Sequence, residues 1–215
     1  MKRSEKSLEL RNIIIDVTRD LLLAQGYQKT TIRQIIKKAG INTGSLYHFF
    51  RDKDDIFRHF VTQTYNEFIE YADRLTENET DNTLRYALTR ALEMKAVERY
   101  DRIAELYHTA YSSWTVTQTM LPINIQRKRI FFEAFNPDFT EADYYNRTLA
   151  LRGMRLSFFS QRLYEGPGQF ETQCPFLLEA AFNLFHVPKP HTDTVIARTM
   201  ELVKQDSMAV YGFTL

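Results

Sequence analysis

The stretch TIRQIIKKAGINTGSLYHFFRDK, Thr31 to Lys53, carries two short helices and the tight turn between them. Thr31 and Gln34 form a T-x-x-Q capping box, in which the threonine hydroxyl accepts from the Gln34 amide and the Gln34 side chain returns to the Thr31 amide. Ile32, Ile35, Ile36 and Ala39 then fall at i, i+3, i+4 and i+7, one apolar face of a helix. Arg33, Lys37 and Lys38 are left outside it. Gly40 occupies the position just past the helix end, where a left-handed backbone costs glycine nothing. Asn42 caps the next helix, and Leu46, Phe49 and Phe50 anchor it. These are the parts of a helix-turn-helix.

The outer face of the second helix suits recognition. Thr43, Gly44 and Ser45 open it and are small, so the backbone can come close to a groove. Hydroxyls and amides there can meet base edges or phosphate oxygens. Tyr47 and His48 reach further, and Lys53 stands at the start of the following helix, where its charge and the free amides attract phosphate.

Working outward, the string from Leu21-Leu22 through Gly26-Tyr27, Thr30-Thr31-Ile32-Arg33, Ile35 and Lys38 to Phe50, then Lys53, Ile56 and Phe57, resembles the N-terminal domain of the tetracycline-repressor (TetR) family. The resemblance is specific over roughly residues 8–57. It implies an all-α chain: a three-helix DNA-binding head (residues 1–53) and a helical ligand-binding and dimerising body (residues 54–215). Carried over by position, Thr31, Thr43, Tyr47 and Lys53 are phosphate contacts, and Arg33, Thr43, Gly44, Ser45 and His48 lie nearest the bases. Ile36 stands where the family usually has a small residue, and Phe49 where tyrosine or histidine is common.

Charge distribution agrees. The chain of 215 residues has a net charge of only +1. Residues 1–52 hold ten Lys/Arg against five Asp/Glu, a net +5, and the rest holds 18 against 22, a net −4. A basic head on an acidic body is expected when the head alone touches phosphate. Met1–Lys6 is a further basic arm. One cysteine, Cys174, allows no intrachain disulfide and fits a reducing, cytoplasmic setting. No signal peptide and no run of roughly 20 apolar residues is present, so no membrane partner is expected.

The body reads as helices over about 54–75, 84–97, 100–114, a segment started by Pro122, then 140–164, 169–186 and 192–211. Along the 140–164 segment Ala150, Gly153, Ser157 and Ser160 make a small-residue edge that lets a second helix approach closely. With Leu177, Ala181 and Leu184 it is the expected homodimer surface. Residues 54–215 hold 25 of the chain's 29 aromatic residues, which suits a small apolar or aromatic ligand. Tyr107, Tyr111, Trp114, Phe131, Met154 and Phe158 are its candidate wall, with His108 a polar contact. No glycine-rich phosphate loop, GxSxG or HExxH motif occurs, so neither catalytic residues, nor a metal, nor a cofactor is expected.

The sequence thus implies a ligand-responsive transcription regulator, a repressor that binds a palindromic double-stranded operator as a homodimer. The alternative is a DNA-binding dimer governed by a protein partner, or an activator, with no small inducer.

Overall fold

The computed structural model describes residues 3–77 and 79–205, and every regular element among them is helical. Two compact units divide the chain between Thr64 and Tyr65.

In the first unit α1 (Arg3–Lys29) runs along the head and breaks at Gly26, whose φ of 82° is open only to glycine at little cost. The Thr30 hydroxyl donates to the freed Gly26 carbonyl at 2.8 Å. Then α2 (Ile32–Ala39) starts on Thr31 with both arms of the capping box formed. Gly40 ends it in the left-handed conformation, φ 65°, with its amide returned to Ile36 and Lys37. Next, α3 (Thr43–Phe49) starts on Asn42, whose side chain accepts from the Ser45 amide at 2.8 Å.

Ile14, Ile15, Ile35, Leu46, Phe50 and Ile56 form the head core. Ile36 and Phe49 pack against its edge, which explains how a large residue is tolerated at position 36. Each such side chain contributes roughly 1.5–3 kcal/mol when buried, enough in sum to hold three short helices. The basic arm expected over Met1–Lys6 is corrected in part: α1 is already helical from Arg3, while Met1 and Lys2 lie outside the described residues.

The chain passes into the second unit within α4 (Lys53–Leu75), whose Ile56, Phe60, Thr64 and Phe68 are all buried as their spacing requires. In that unit α5 (Asn82–Arg99) is the centre. It packs against α6 (Asp101–Ser112), α7 (Trp114–Phe132), α8 (Glu141–Glu165), α9 (Phe170–Leu184) and α10 (Lys189–Gln205). A 3-10 turn, Glu133–Phe135, follows α7.

Phe132 is the hub of an aromatic core, stacked on Phe185 at 4.5 Å and set edge-on to Tyr86 at 4.9 Å. Asn136 fastens it by donating to the carbonyls of Phe132 (2.8 Å) and Phe185 (2.6 Å). Two helix bounds differ from expectation. The break falls at Ser113, which caps α7 by accepting from the Val116 amide, so Trp114 begins α7 rather than ending α6. Pro122 consequently lies inside α7. Residues beyond Gln205, where the last helix was expected to continue, lie outside the described residues.

Gly40 has open space where a Cβ would sit, so its only constraint is its φ. Gly40→Val is expected to destabilise the head by at least about 1 kcal/mol, since a β-branched residue resists the left-handed region. Urea unfolding followed by hydrogen exchange of α2 and α3 amides checks this. Unchanged protection would contradict it.

Candidate nucleic-acid interface and candidate ligand site

The eight head residues picked from the sequence separate into a free set and a tethered set. Arg33, Thr43, Gly44, Tyr47 and His48 are exposed, Tyr47 by 53%. Arg33 makes no ion pair among the described residues, while Lys38 is held by Asp20 at 2.9 Å. Gly44, Ser45 and His48 of α3 line an open groove with Lys6, Ser7 and Leu10 of α1. Lys6 therefore joins this surface from a helix rather than from an arm.

Thr31 is exposed, but its hydroxyl serves the cap, accepting from the Gln34 amide at 3.3 Å. Lys53 is tethered: its Nζ donates to the Tyr27 carbonyl at 3.0 Å and lies 4.0 Å from the Tyr27 ring centre. The Tyr27 hydroxyl in turn donates to Asp54. Desolvation lowers the Lys53 pKa, with Asp54 opposing. Lys53 thus ties α1 to α4 and still presents a cation at the N-terminus of α4.

The expected ligand wall is only partly gathered. Tyr107 and Tyr111 are stacked at 6.3 Å and both meet Phe159 edge-on, at 5.5 and 5.0 Å. Phe131 packs on Tyr86 at 5.8 Å. Trp114 is corrected outright: it is 62% exposed and lines an outer groove with Pro122 and Tyr145, because Ser113 starts a new helix and turns its side chain away. His108 pairs with the exposed Tyr164 at 6.0 Å, and Phe158 with the exposed Phe176 at 6.2 Å, so neither joins Tyr107. Met154 is half-buried.

Sequence reasoning missed the charges of this interior. Arg90, Glu93, Lys128 and Arg155 are each at most 6% exposed. Arg90 lies 2.7 Å and Arg155 3.5 Å from the same Glu93 carboxylate oxygen. Both approaches fall outside hydrogen-bond geometry, which leaves Arg155 Nη1 and that oxygen without hydrogen-bond partners. Desolvation holds Lys128 well below its ordinary pKa, and Arg155 and Arg90 add to the effect. The available signal was the spacing Tyr86, Arg90, Glu93, Val97 (0, 4, 7, 11). It sets two charges on the same helical stripe as Tyr86 and Val97.

The small-residue edge of α8 faces outward. Ala150, Gly153 and Ser157 are exposed and Ser160 is half-buried, with Phe176 of α9, 56% exposed, among the neighbouring side chains through Phe158. Leu177 and Ala181 are corrected: at 5% and 1% exposure they belong to the chain's own core, since α9 turns that face to α5. Leu184 is half-buried. Cys174 is fully buried, and burial pushes its thiol up to about 12, so it is no nucleophile. No group of three or more metal-ligating side chains occurs among the described residues, and no described helix is long and apolar enough to cross a membrane.

Residues 14–60, the whole of this head core, match the family model for bacterial regulatory proteins of the tetR family. The head thus carries the domain of that tetR-family model. That family is one of transcription regulators rather than enzymes. Among curated TetR-family relatives, the regulator HbdR of Aromatoleum sp. (strain CIB) is 48% identical over 48 residues, 22% of this chain and 21% of HbdR. The negative regulator IcaR of the Staphylococcus epidermidis biofilm operon icaADBC is 34% identical over 73 residues, 34% of this chain and 38% of IcaR. The matched stretch thus spans about a fifth to two fifths of those relatives.

The fold of the whole chain is shared with solved structures. RolR in complex with resorcinol superposes with a TM-score of 0.70 at 16% identity, covering 91% of this chain and 97% of RolR. SmeT, repressor of the Stenotrophomonas maltophilia efflux pump SmeDEF, gives 0.57 at 13% identity, covering 80% and 88%. At such identities the likeness is one of fold.

The TetR-family head also carries a pH-dependent contact. Arg11 of α1 donates to His59 Nδ1 of α4 at 2.9 Å, which requires a neutral imidazole. Desolvation and Arg11 lower the His59 pKa, Arg58 assisting and Asp55 opposing. Below about pH 6.5 the unfolded chain therefore takes up a proton that the folded head does not, and stability falls with pH in that window. Between pH 7.5 and 5.5 the wild-type melting temperature should drop further than that of His59→Gln. Parallel slopes would refute this.

Proposed function

We propose that the chain is a ligand-responsive transcription regulator, with residues 1–53 as DNA-binding head and 54–215 as body, acting as a repressor on an inverted-repeat operator. The observation that carries the reading is the α2-turn-α3 unit, capped at both helix starts, with Arg33, Thr43, Gly44, Tyr47 and His48 turned outward. On DNA, Thr31, Thr43, Tyr47 and Lys53 contact phosphate, and Arg33, Thr43, Gly44, Ser45 and His48 lie at the bases. One α3 buries little surface, so two heads in a homodimer supply affinity and set the half-site spacing.

The dimer forms along the Ala150, Gly153, Ser157, Ser160 edge of α8. A ligand in the body displaces α4, alters the distance between the two α3 helices and releases the operator. RolR, solved with resorcinol, is consistent with an aromatic ligand in a body of this fold. Tyr107, Tyr111 and Phe131 remain the sequence-derived residues suited to line its site.

The test is retention of the organism's own fragmented DNA by the purified chain, followed by sequencing. An inverted repeat, bound with steep salt dependence, is the expected result. Salt-sensitive retention with no shared sequence would defeat the operator reading. On the recovered site Arg33→Ala should cost about 1–3 kcal/mol of affinity and relax specificity at one position per half-site. Fluorescence anisotropy measures both.

The dimer surface has its own variant. Gly153 is exposed and has nothing within 4 Å of an added Cβ, so Gly153→Glu is harmless to the single chain and favours its helix. Sedimentation should show a dimer for the wild type and a monomer for the variant. A dimeric variant would place the interface elsewhere.

A further inference from the structure

The body encloses two arginines and a lysine against one carboxylate. Arg90, Lys128 and Arg155 surround Glu93, and none of the four is more than 6% exposed. A buried charge left uncompensated is costly, so such an excess needs either a deprotonated lysine or a second anion. Lys128 makes no hydrogen bond among the described residues; its Nζ lies 6.0 Å from the Tyr86 ring centre. Arg155 Nη1 is buried and has no hydrogen-bond partner. Lys128 Nζ and Arg155 Nη1 are therefore donors without a hydrogen-bond acceptor, although Arg155 Nη1 keeps the Glu93 carboxylate at 3.5 Å.

The surroundings are aromatic. A narrow cleft is lined by Tyr86, Arg90, Arg155, Met94, Leu151 and Leu177 among others. Tyr107 and Tyr111 keep part of their surface, yet burial raises both of their hydroxyls. Their phenols stay protonated and can donate. The cleft as it stands is narrow, so an aromatic occupant has to part its side chains, and Met94 is the flexible one. Displacement on binding is what a sensor requires.

We propose that this interior binds an aromatic carboxylic acid as its carboxylate. The two oxygens are received by Arg155 Nη1 and Lys128 Nζ, and the ring lies in the cleft beside Tyr86, Met94 and Leu151. Glu93 is the internal anion that holds Arg90 and Arg155 apart while the site is empty. The proposal rests on the sensor reading above and narrows its ligand from any apolar molecule to an anionic one. Specificity follows from desolvation: a neutral amide of the same shape offers the buried donors no charged acceptor.

The test is thermal unfolding of the full chain with benzoate, salicylate, 3-phenylpropionate and 1-naphthoate, each beside its carboxamide and beside equimolar sodium chloride. A ligand that binds only the folded state must raise its melting temperature. At least one acid should do so by several degrees, and its amide and chloride should not. Lys128→Met should weaken acid binding by about tenfold or more, yet leave the unliganded melting temperature equal or higher, since an apolar residue replaces a buried amine. Arg155→Lys should weaken it by about tenfold through loss of the fork. Glu93→Gln should tighten it by removing the competing anion.

Equal shifts from acid and amide, an equal shift from chloride, or acid binding indifferent to both Lys128→Met and Arg155→Lys would overturn the anionic site. Silence from every acid would overturn it as well. Operator release by a neutral compound would still leave the sensor reading standing, so the two failures are separable.

Discussion

Glu93 sits between Arg90 and Arg155 on a helix that has almost no outward face, and the body is arranged around that fact. From Thr83 to Val97 nearly every residue of α5 is buried, under α6 to α10. An all-round buried helix is ordinarily apolar. Here its two buried charges, Arg90 and Glu93, pair with each other, and a third, Arg155, reaches across from α8. The ion cluster and the aromatic core are adjacent: Tyr86 touches Phe131, Phe132 and Phe182 and lies near the same cations. A change in the cluster is therefore felt by the residues that fix the packing of α7 and α9.

In the head the governing constraint is backbone geometry. The capping box at Thr31, the left-handed Gly40 and the Asn42 cap are local devices, each settled within a few residues. Together they fix the angle at which α3 leaves α2. The core of Ile35, Leu46 and Phe50 then locks α3 so that Tyr47 and His48 face out. Recognition needs a rigid helix with a free face, and this one is held by its caps and its one buried stripe.

These features explain which parts of the chain were legible. The helix-turn-helix could be read because its signals are short-range: a hydroxyl three residues from an amide, a glycine after an apolar period. Ala150, Gly153 and Ser157 were rightly grouped on one face because helical periodicity is local too. Leu177 and Ala181 fit a mating surface by spacing, yet they sit in the core. Apolar residues at helical spacing do not declare which neighbour they bury against. Trp114 was misplaced because one serine cap, at Ser113, rotated the start of α7.

By itself the sequence determined the all-helical class, the head with its turn and caps, the outward-facing residues of α3, and the basic head on an acidic body. All of these follow from spacing along the chain or from composition. Only the tertiary structure decided that Arg90, Glu93, Lys128 and Arg155 meet in one interior, that Lys53 is tied to Tyr27, and that Tyr107 and Tyr111 part company with Trp114. Those arrangements join residues up to 65 positions apart on different helices. No periodicity encodes them, because they depend on how whole helices pack and on the energy of leaving a charge unpaired away from water.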